Sequence, residues 1–152
     1  DGTMDRAMFI SVLYRLAGSP AVSGSTGYDD VEDGRWYSDA ILWGRLTGIA
    51  KGYGGSFGPG DQITREQMCT MLTRWLGYMG YELPAAKEAK RFADAAEISS
   101  WAAEAVAFCQ TRGLVNGVPG GAFAPQNSTT RGECCAVIER LVRAVLHSAE
   151  GK

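Results

Sequence analysis

One helical segment occurs three times in this chain, and that recurrence limits the fold more than any other feature. Gln62-Ile63-Thr64-Arg65-Glu66-Gln67-Met68 is matched by Ser128-Thr129-Thr130-Arg131-Gly132-Glu133-Cys134 and by Thr3-Met4-Asp5-Arg6-Ala7-Met8-Phe9. Nine residues past each arginine stands another: Arg15, Arg74 and Arg140. Phe9, Val12, Leu13, Leu16 and Ala17 correspond one for one to Met68, Met71, Leu72, Trp75 and Leu76, and to Cys134, Val137, Ile138, Leu141 and Val142. Each set follows i, i+3, i+4, i+7, i+8, the stripe of an amphipathic helix. A repeat of this kind sets the fold before any local propensity is weighed.

The region ahead of the second and third copies also recurs. Tyr28-Asp29-Asp30 matches Phe92-Ala93-Asp94, Trp36 matches Trp101, Gly48 and Gly52 match Gly113 and Gly117, and Ser56-Phe57-Gly58-Pro59 matches Ala122-Phe123-Ala124-Pro125. A full unit is therefore loop, helix, Gly-rich loop, helix, and the first unit lacks its front half. The spacing predicts an all-α chain with helices over about 4–17, 36–47, 64–77, 100–112 and 130–148. It forms one module with a partial first repeat over 1–18, a second over 28–77 and a third over 92–148. Thr64 with Gln67, and Thr130 with Glu133, read as capping boxes, and Asp5 takes the cap position in the first copy. Gly18 and Gly77 fall where a helix ends in a left-handed residue. The run Gly52 to Gly60 is excluded from helix by its Gly and Pro content, with Phe57 expected to plug it onto the core. A linker follows from Tyr78 to Arg91, with a short helical turn expected over Ala85 to Lys90.

At 152 residues about two thirds of the unfolded surface can be buried, enough for a core without metal or disulfide. The 15 Lys+Arg against 17 Asp+Glu give no broad basic field, which argues against nucleic acid as a partner. No apolar run reaches the ~20 residues of a membrane span. A start at Asp1 without an initiator Met reads as a piece of a longer chain, whose signal peptide lies upstream or has been removed.

Five ordered features, each present twice, carry a family resemblance. They are Phe92-Ala93-Asp94, Trp101-Ala102-Ala103-Glu104-Ala105-Val106, Gly113-Leu114-Val115-Asn116-Gly117, Phe123-Ala124-Pro125 and Thr130-Arg131-Gly132-Glu133. In these the chain resembles the S-layer homology (SLH) family over essentially its whole length. The resemblance implies three repeats packed as a pseudo-threefold spindle with grooves between the prongs. It also implies an extracellular module that anchors an exported bacterial protein, its cargo lying upstream, to the cell wall. The implied partner is secondary cell-wall polysaccharide, often bearing a pyruvate ketal, bound without cofactor or metal. The implied ligand contacts are Arg6, Arg65 and Arg131, Asp30 and Asp94, Trp36 and Trp101, with Gly52 and Gly117 close by.

The residues themselves leave alternatives at each of these positions. An arginine beside a helix N-terminus sits against the positive end of its own macrodipole. Three such placements are explained either by an incoming carboxylate, taken by the Arg fork and helix-start amides, or by ion pairs to Asp30 and Asp94 that hold the units together. Trp36 and Trp101 either present a face to a sugar ring or belong to the core. Gly52 and Gly117 either approach ligand or serve backbone geometry.

Cys69 and Cys135 share the repeat position of Ile10, Cys134 stands on the stripe, and Cys109 aligns with Gly44. These are packing positions, read as buried free thiols or at most one disulfide; the spacing does not suit zinc. No nucleophile or acid-base constellation supports an enzyme. Glu133 is accounted for as a cap and Glu66 as a first-turn residue, which removes the one glycosidase-like carboxylate pair. Asp29 to Gly34 is no calcium loop, since Val31 and Ala40 occupy ligand positions. The competing function is a protein-interaction module using the grooves or Tyr53, Tyr78 and Tyr81.

Overall fold

The structure is a computed structural model that describes residues 2–151. It has five α-helices: α1 (Arg6–Leu16), α2 (Ser38–Thr47), α3 (Arg65–Met79), α4 (Ala103–Thr111) and α5 (Arg131–Glu150). Apart from one 3₁₀ turn over Ala95–Glu97, the remaining described residues form loops joined by isolated β-bridges. The chain is all-α, as the periodicity required. Among the described residues no helix is long and apolar enough to cross a membrane.

The helices start where a side-chain oxygen can serve a free first-turn N–H. Asp5 Oδ1 accepts from the Met8 N–H at 2.7 Å in α1. Thr64 and Gln67 form the reciprocal capping box in α3. In α5 only half of the expected box exists: Thr130 Oγ1 accepts from the Glu133 N–H, while the Glu133 carboxylate reaches across to Arg65 at 3.1 Å. The α3 terminus also differs from expectation. Gly77 is an ordinary helical residue, and Gly80 at φ 74° makes the left-handed stop three residues later than the repeat position of Gly18 would suggest. The linker holds no helical turn over Ala85 to Lys90. It runs extended because the Ala86 and Lys87 N–H groups both donate to Thr111 O at the end of α4.

The first helix of each full repeat packs on the second helix of the repeat before it: α2 on α1, and α4 on α3. Side-chain size is exchanged between the two interfaces. In one, Ile10 faces Gly44, where a Cβ would lie 3.0 Å from the Ile10 Cδ1. In the other the equivalent residues are the thiols Cys69 and Cys109, both fully buried. Conserving summed volume in this way preserves close packing. No such helix covers α5 among the described residues. Cys135, expected in a packing position, is consequently exposed, as are Val142 and Leu146. Its repeat counterparts Ile10 and Cys69 are buried under α2 and α4. The four cysteines are free thiols, and burial pushes that of Cys134 up to about 12.

Two rings of backbone hydrogen bonds tie the three helix starts together. Ile63 N–H donates to Met4 O, Met4 N–H to Thr129 O, and Thr129 N–H to Ile63 O, all within 3.0 Å. One layer away, Arg6 N–H donates to Asp61 O, Arg65 N–H to Asn127 O, and Arg131 N–H to Gly2 O. The residues in each ring occupy the same positions in their repeats. The second set accounts for the first N–H group of each of α1, α3 and α5, which has no partner within its own helix.

Candidate functional site

Each Gly-rich loop folds over an aromatic plug. Phe57 and Phe123 are fully buried and pack on Tyr28 and Phe92 with ring centroids 5.6 and 5.1 Å apart. The loop is held from below by an aspartate. Asp30 accepts the N–H groups of Phe57 and Gly58, and Asp94 those of Phe123 and Ala124, all at 2.8 Å. For Asp94 these bonds, with the Arg65 charge, outweigh burial and lower the carboxyl pKa. For Asp30 burial acts upward, but the paired N–H groups and Arg6 carry it below its ordinary value of 3.8.

A carboxyl whose pKa is lowered on folding contributes stability that is complete above its unfolded pKa and lost as pH falls through the folded one. Thermal unfolding followed by circular dichroism should therefore show a stability decline setting in below about pH 4. The double variant Asp30→Asn/Asp94→Asn should start less stable at neutral pH and decline less. An equally steep decline in that variant would contradict the assignment.

Arg6 and Arg65 hold the same loops from the other side. Arg6 Nε donates to Phe57 O at 3.0 Å and Nη2 to Lys51 O at 2.9 Å. Arg65 repeats the geometry with Phe123 O at 2.8 Å and Asn116 O at 2.7 Å. Both guanidinium groups lie over the plug rings, 4.5 Å from the Phe57 centroid and 4.8 Å from that of Phe123. Both arginines are buried, and burial lowers the pKa of Arg6. Neither is ion-paired to Asp30 or Asp94; Arg65 pairs with Glu133. The Asp–Arg ion pair considered from sequence is thus replaced by a shared loop, with Asp on its N–H groups and Arg on its carbonyls.

The helix-start amides are not available to an anion either. In α1 the N–H groups of Arg6, Ala7 and Met8 already donate to Asp61 O, Pro59 O and Asp5 Oδ1; in α3 those of Arg65, Glu66 and Gln67 donate to Asn127 O, Pro125 O and Thr64 Oγ1. Arg131 stands apart. It is exposed, no Gly-rich loop folds over it, and its side chain lies against Gly2. The three arginines, equivalent in sequence, occupy two kinds of place.

Two open hollows remain beside the loops, related position by position through the repeat. The first, about 260 Å³, is bounded by Arg6, Lys51, Gly52, Tyr53, Arg74 and Trp101. The second, about 250 Å³, is bounded by Arg65, Asn116, Gly117, Glu133 and Arg140, without a tryptophan. Arg74 and Arg140 stand over their respective hollows, and both are exposed. Each donates through Nη1 to the carbonyl just before the loop, Ile49 O and Leu114 O. These two arginines were visible in the sequence only as an echo nine residues after the helix start; they are the arginines that stand exposed over the hollows.

Trp101 is 56% and Trp36 62% exposed, so neither is a core residue. Trp101 borders the first hollow from the third repeat, while Trp36 packs edge-on against Tyr37. Gly52 and Gly117 border one hollow each. A Cβ on Gly52 would come within 2.6 Å of the Tyr28 ring, and one on Gly117 within 2.7 Å of Ala122 O. Close backbone approach therefore demands glycine at both.

Comparison with known proteins agrees with this construction. A family model for the S-layer homology domain matches residues 27–69 and 91–134, more than half of the chain. The chain is 37% identical over 92% of its length to an amylopullulanase of Thermoanaerobacterium thermosulfurigenes. It is 35% identical over 92% to the exoglucanase XynX of Acetivibrio thermocellus. It is 28% identical over 93% to a cellulosome-anchoring protein of that organism. It spans only 8%, 13% and 32% of the lengths of these relatives. Two matched segments, each covering the first helix of a repeat, its Gly-rich loop and plug, and the start of the helix that follows, place the chain in the S-layer homology family, the extracellular modules associated with the bacterial cell wall.

Proposed function

We propose that this module attaches a larger extracellular protein to the bacterial wall without a covalent bond, by binding an anionic secondary cell-wall polysaccharide. A glycan bearing a pyruvate ketal fits best, since it offers one carboxylate on a sugar ring. The observation that carries this reading is the first hollow. There an exposed Arg74 and a Lys51 face a Trp101 side chain across a glycine floor. Arg can take a carboxylate bidentately, and an indole face covers the C–H side of a sugar. The second hollow repeats the arginine and the floor but carries Glu133 and no indole, and so serves as the weaker site.

The two hydrogen-bonded rings support a pseudo-threefold spindle as the arrangement of the repeats. By the same relation Arg131, Arg15 and Trp36 would bound a third groove, whose Gly-rich loop the described residues do not supply. The relatives favour attachment over chemistry: a shared segment of 8% to 32% of proteins with such different names is a portable part. The tyrosines considered for a protein contact, Tyr53 in a loop, Tyr78 at the end of α3 and Tyr81 beyond it, are exposed, yet each is also engaged within the chain. Tyr53 OH accepts from Gln67 Nε2, Tyr78 packs on Trp43, and Tyr81 on Trp75.

The test is retention on purified wall sacculi before and after their polysaccharide is stripped. The module should be retained only on the former. Arg74→Ala and Trp101→Ala should each weaken retention about tenfold, the equivalent of about 1.4 kcal/mol, and Arg140→Ala less. Equal retention on stripped walls would overturn the reading.

A further inference from the structure

Outside both hollows lies a larger one, about 710 Å³, between the linker and the third-repeat loop. Lys87, Lys90 and Arg91 stand on its rim, with a single acid, Glu88; its floor is Phe92, Asn116 and Gly117. Among the described residues none of the three cations is ion-paired. Lys87 Nζ makes one contact, to Asn116 Oδ1 at 3.5 Å.

The second repeat shows that the fold does not need these charges. Its equivalent segment is Ser23-Gly24-Ser25-Thr26-Gly27, with no ionisable side chain. There the corresponding space is filled from the helix side: Arg45 donates to Thr26 O and lies 5.0 Å from the Tyr28 ring centroid. In the third repeat the position of Arg45 is taken by Gln110, which is shorter and accepts the Lys90 N–H at 3.2 Å. The space is thereby left open, and the positive charge moves from its interior to its rim. In a chain of net charge -2, three unpaired cations around a concave surface make a local positive field that a cleft focuses.

We propose that this linker hollow is a second polyanion-binding site, taking acidic residues along the body of the same wall polysaccharide. Its ligand chemistry is a run of carboxylates or phosphates on a flexible polymer. The inference rests on the wall-polysaccharide reading above and adds a contact to the polymer's interior. The geometry that joins the two is the segment Asn116-Gly117-Val118, which borders both this hollow and the Arg65/Arg140 hollow. A chain can therefore pass from one to the other across a single stretch of backbone.

The experiment uses the whole chain with fluorescent decagalacturonate as the carboxylate probe, poly(glycerol phosphate) as the phosphate probe and neutral dextran as control. Wild type is expected to bind at least one polyanion, more weakly as salt screens the charges, and not dextran. The triple variant Lys87→Gln/Lys90→Gln/Arg91→Gln should bind that polyanion about tenfold more weakly, with an unchanged melting temperature. The triple variant should lose less retention on sacculi than Arg74→Ala/Trp101→Ala does, while its loss of polyanion binding should be the larger of the two, which separates the two sites. Equal polyanion binding by wild type and the triple variant would overturn the proposal, as would equal binding of dextran. Tighter binding of poly-glutamate than of either decagalacturonate or poly(glycerol phosphate) would overturn it in favour of an acidic protein partner. Retention on stripped sacculi would sink the anchoring reading while leaving the polyanion result to stand or fall alone.

Discussion

Replacing Arg65 with methionine should destabilise the chain by roughly 3–5 kcal/mol, whereas Arg131→Met should change stability by no more than about 0.5 kcal/mol. The side chain of Arg65 spends three nitrogens inside the protein: on Phe123 O at 2.8 Å, Asn116 O at 2.7 Å and Glu133 Oε2 at 3.1 Å. Methionine keeps most of the volume and removes every donor. Two carbonyl oxygens then lose their partner, each at a cost of about 1–3 kcal/mol, while the Glu133 carboxylate, 43% exposed, turns to water. Arg6→Met should behave like Arg65→Met, since Phe57 O and Lys51 O would be orphaned in the same way. Urea denaturation of the three variants measures the difference directly. A large loss for Arg131→Met, or near-neutrality for Arg65→Met, would contradict the division of the arginines into loop fasteners and an exposed side chain.

That division also marks where the sequence stops being legible. The stripes and caps were readable because each depends on residues within one turn: Asp5 and Thr64 cap, and Leu13, Leu72 and Leu141 are fully buried. The aromatic plugs were readable because a lone Phe in a Gly-rich run has one place to go. What lay beyond reading depends on partners dozens of residues away. Arg6 and Arg65 were interpreted against the dipole of their own helices. Their energetics are instead set by carbonyls 45 to 58 residues distant. Glu133 had two partners within reach, the cap N–H and Arg65, and a bond in which both partners are charged prevails over one to an uncharged N–H at home.

Cys135 misses expectation for a reason the pattern could not carry. A repeat position is buried only if the neighbouring repeat brings a surface to it. Leu76 is covered by α4 and buried, while its counterpart Val142 on α5, with no such helix described over it, is exposed. Pattern alone assigned both to the core. For the candidate site, Gly52, Gly117 and Trp101 were identifiable as types, and Arg74 and Arg140 were identifiable only as a periodic echo. Nothing local tells which of two arginines nine residues apart is consumed by backbone carbonyls and which is left for solvent.

Glu66→Ala is the second change expected to be severe, at roughly 2–4 kcal/mol, or a fall in melting temperature of about 5–15 °C. Glu66 occupies the place of Ala7 and Gly132 in the other repeats, and a carboxylate there has no role within its own helix beyond a favourable dipole. The side chain is buried and directed at the third repeat instead. Its Oε2 accepts the Ser99 N–H at 2.9 Å, and its Oε1 accepts from Ser99 Oγ at 2.7 Å and Gln126 Nε2 at 3.3 Å. These bonds fix the loop that leads into Trp101 and α4, the segment that also walls the first hollow. Alanine would leave the half-buried Ser99 donors without their acceptor, so hydrogen exchange at the Ser99 amide should rise along with the loss of stability. Glu66→Gln, which retains one acceptor oxygen, should fall between wild type and alanine. Retention on sacculi should drop with Glu66→Ala even at temperatures where the chain stays folded, because Trp101 is no longer held in place. Unchanged stability and unchanged Ser99 exchange in Glu66→Ala would show that the third repeat is positioned by packing alone.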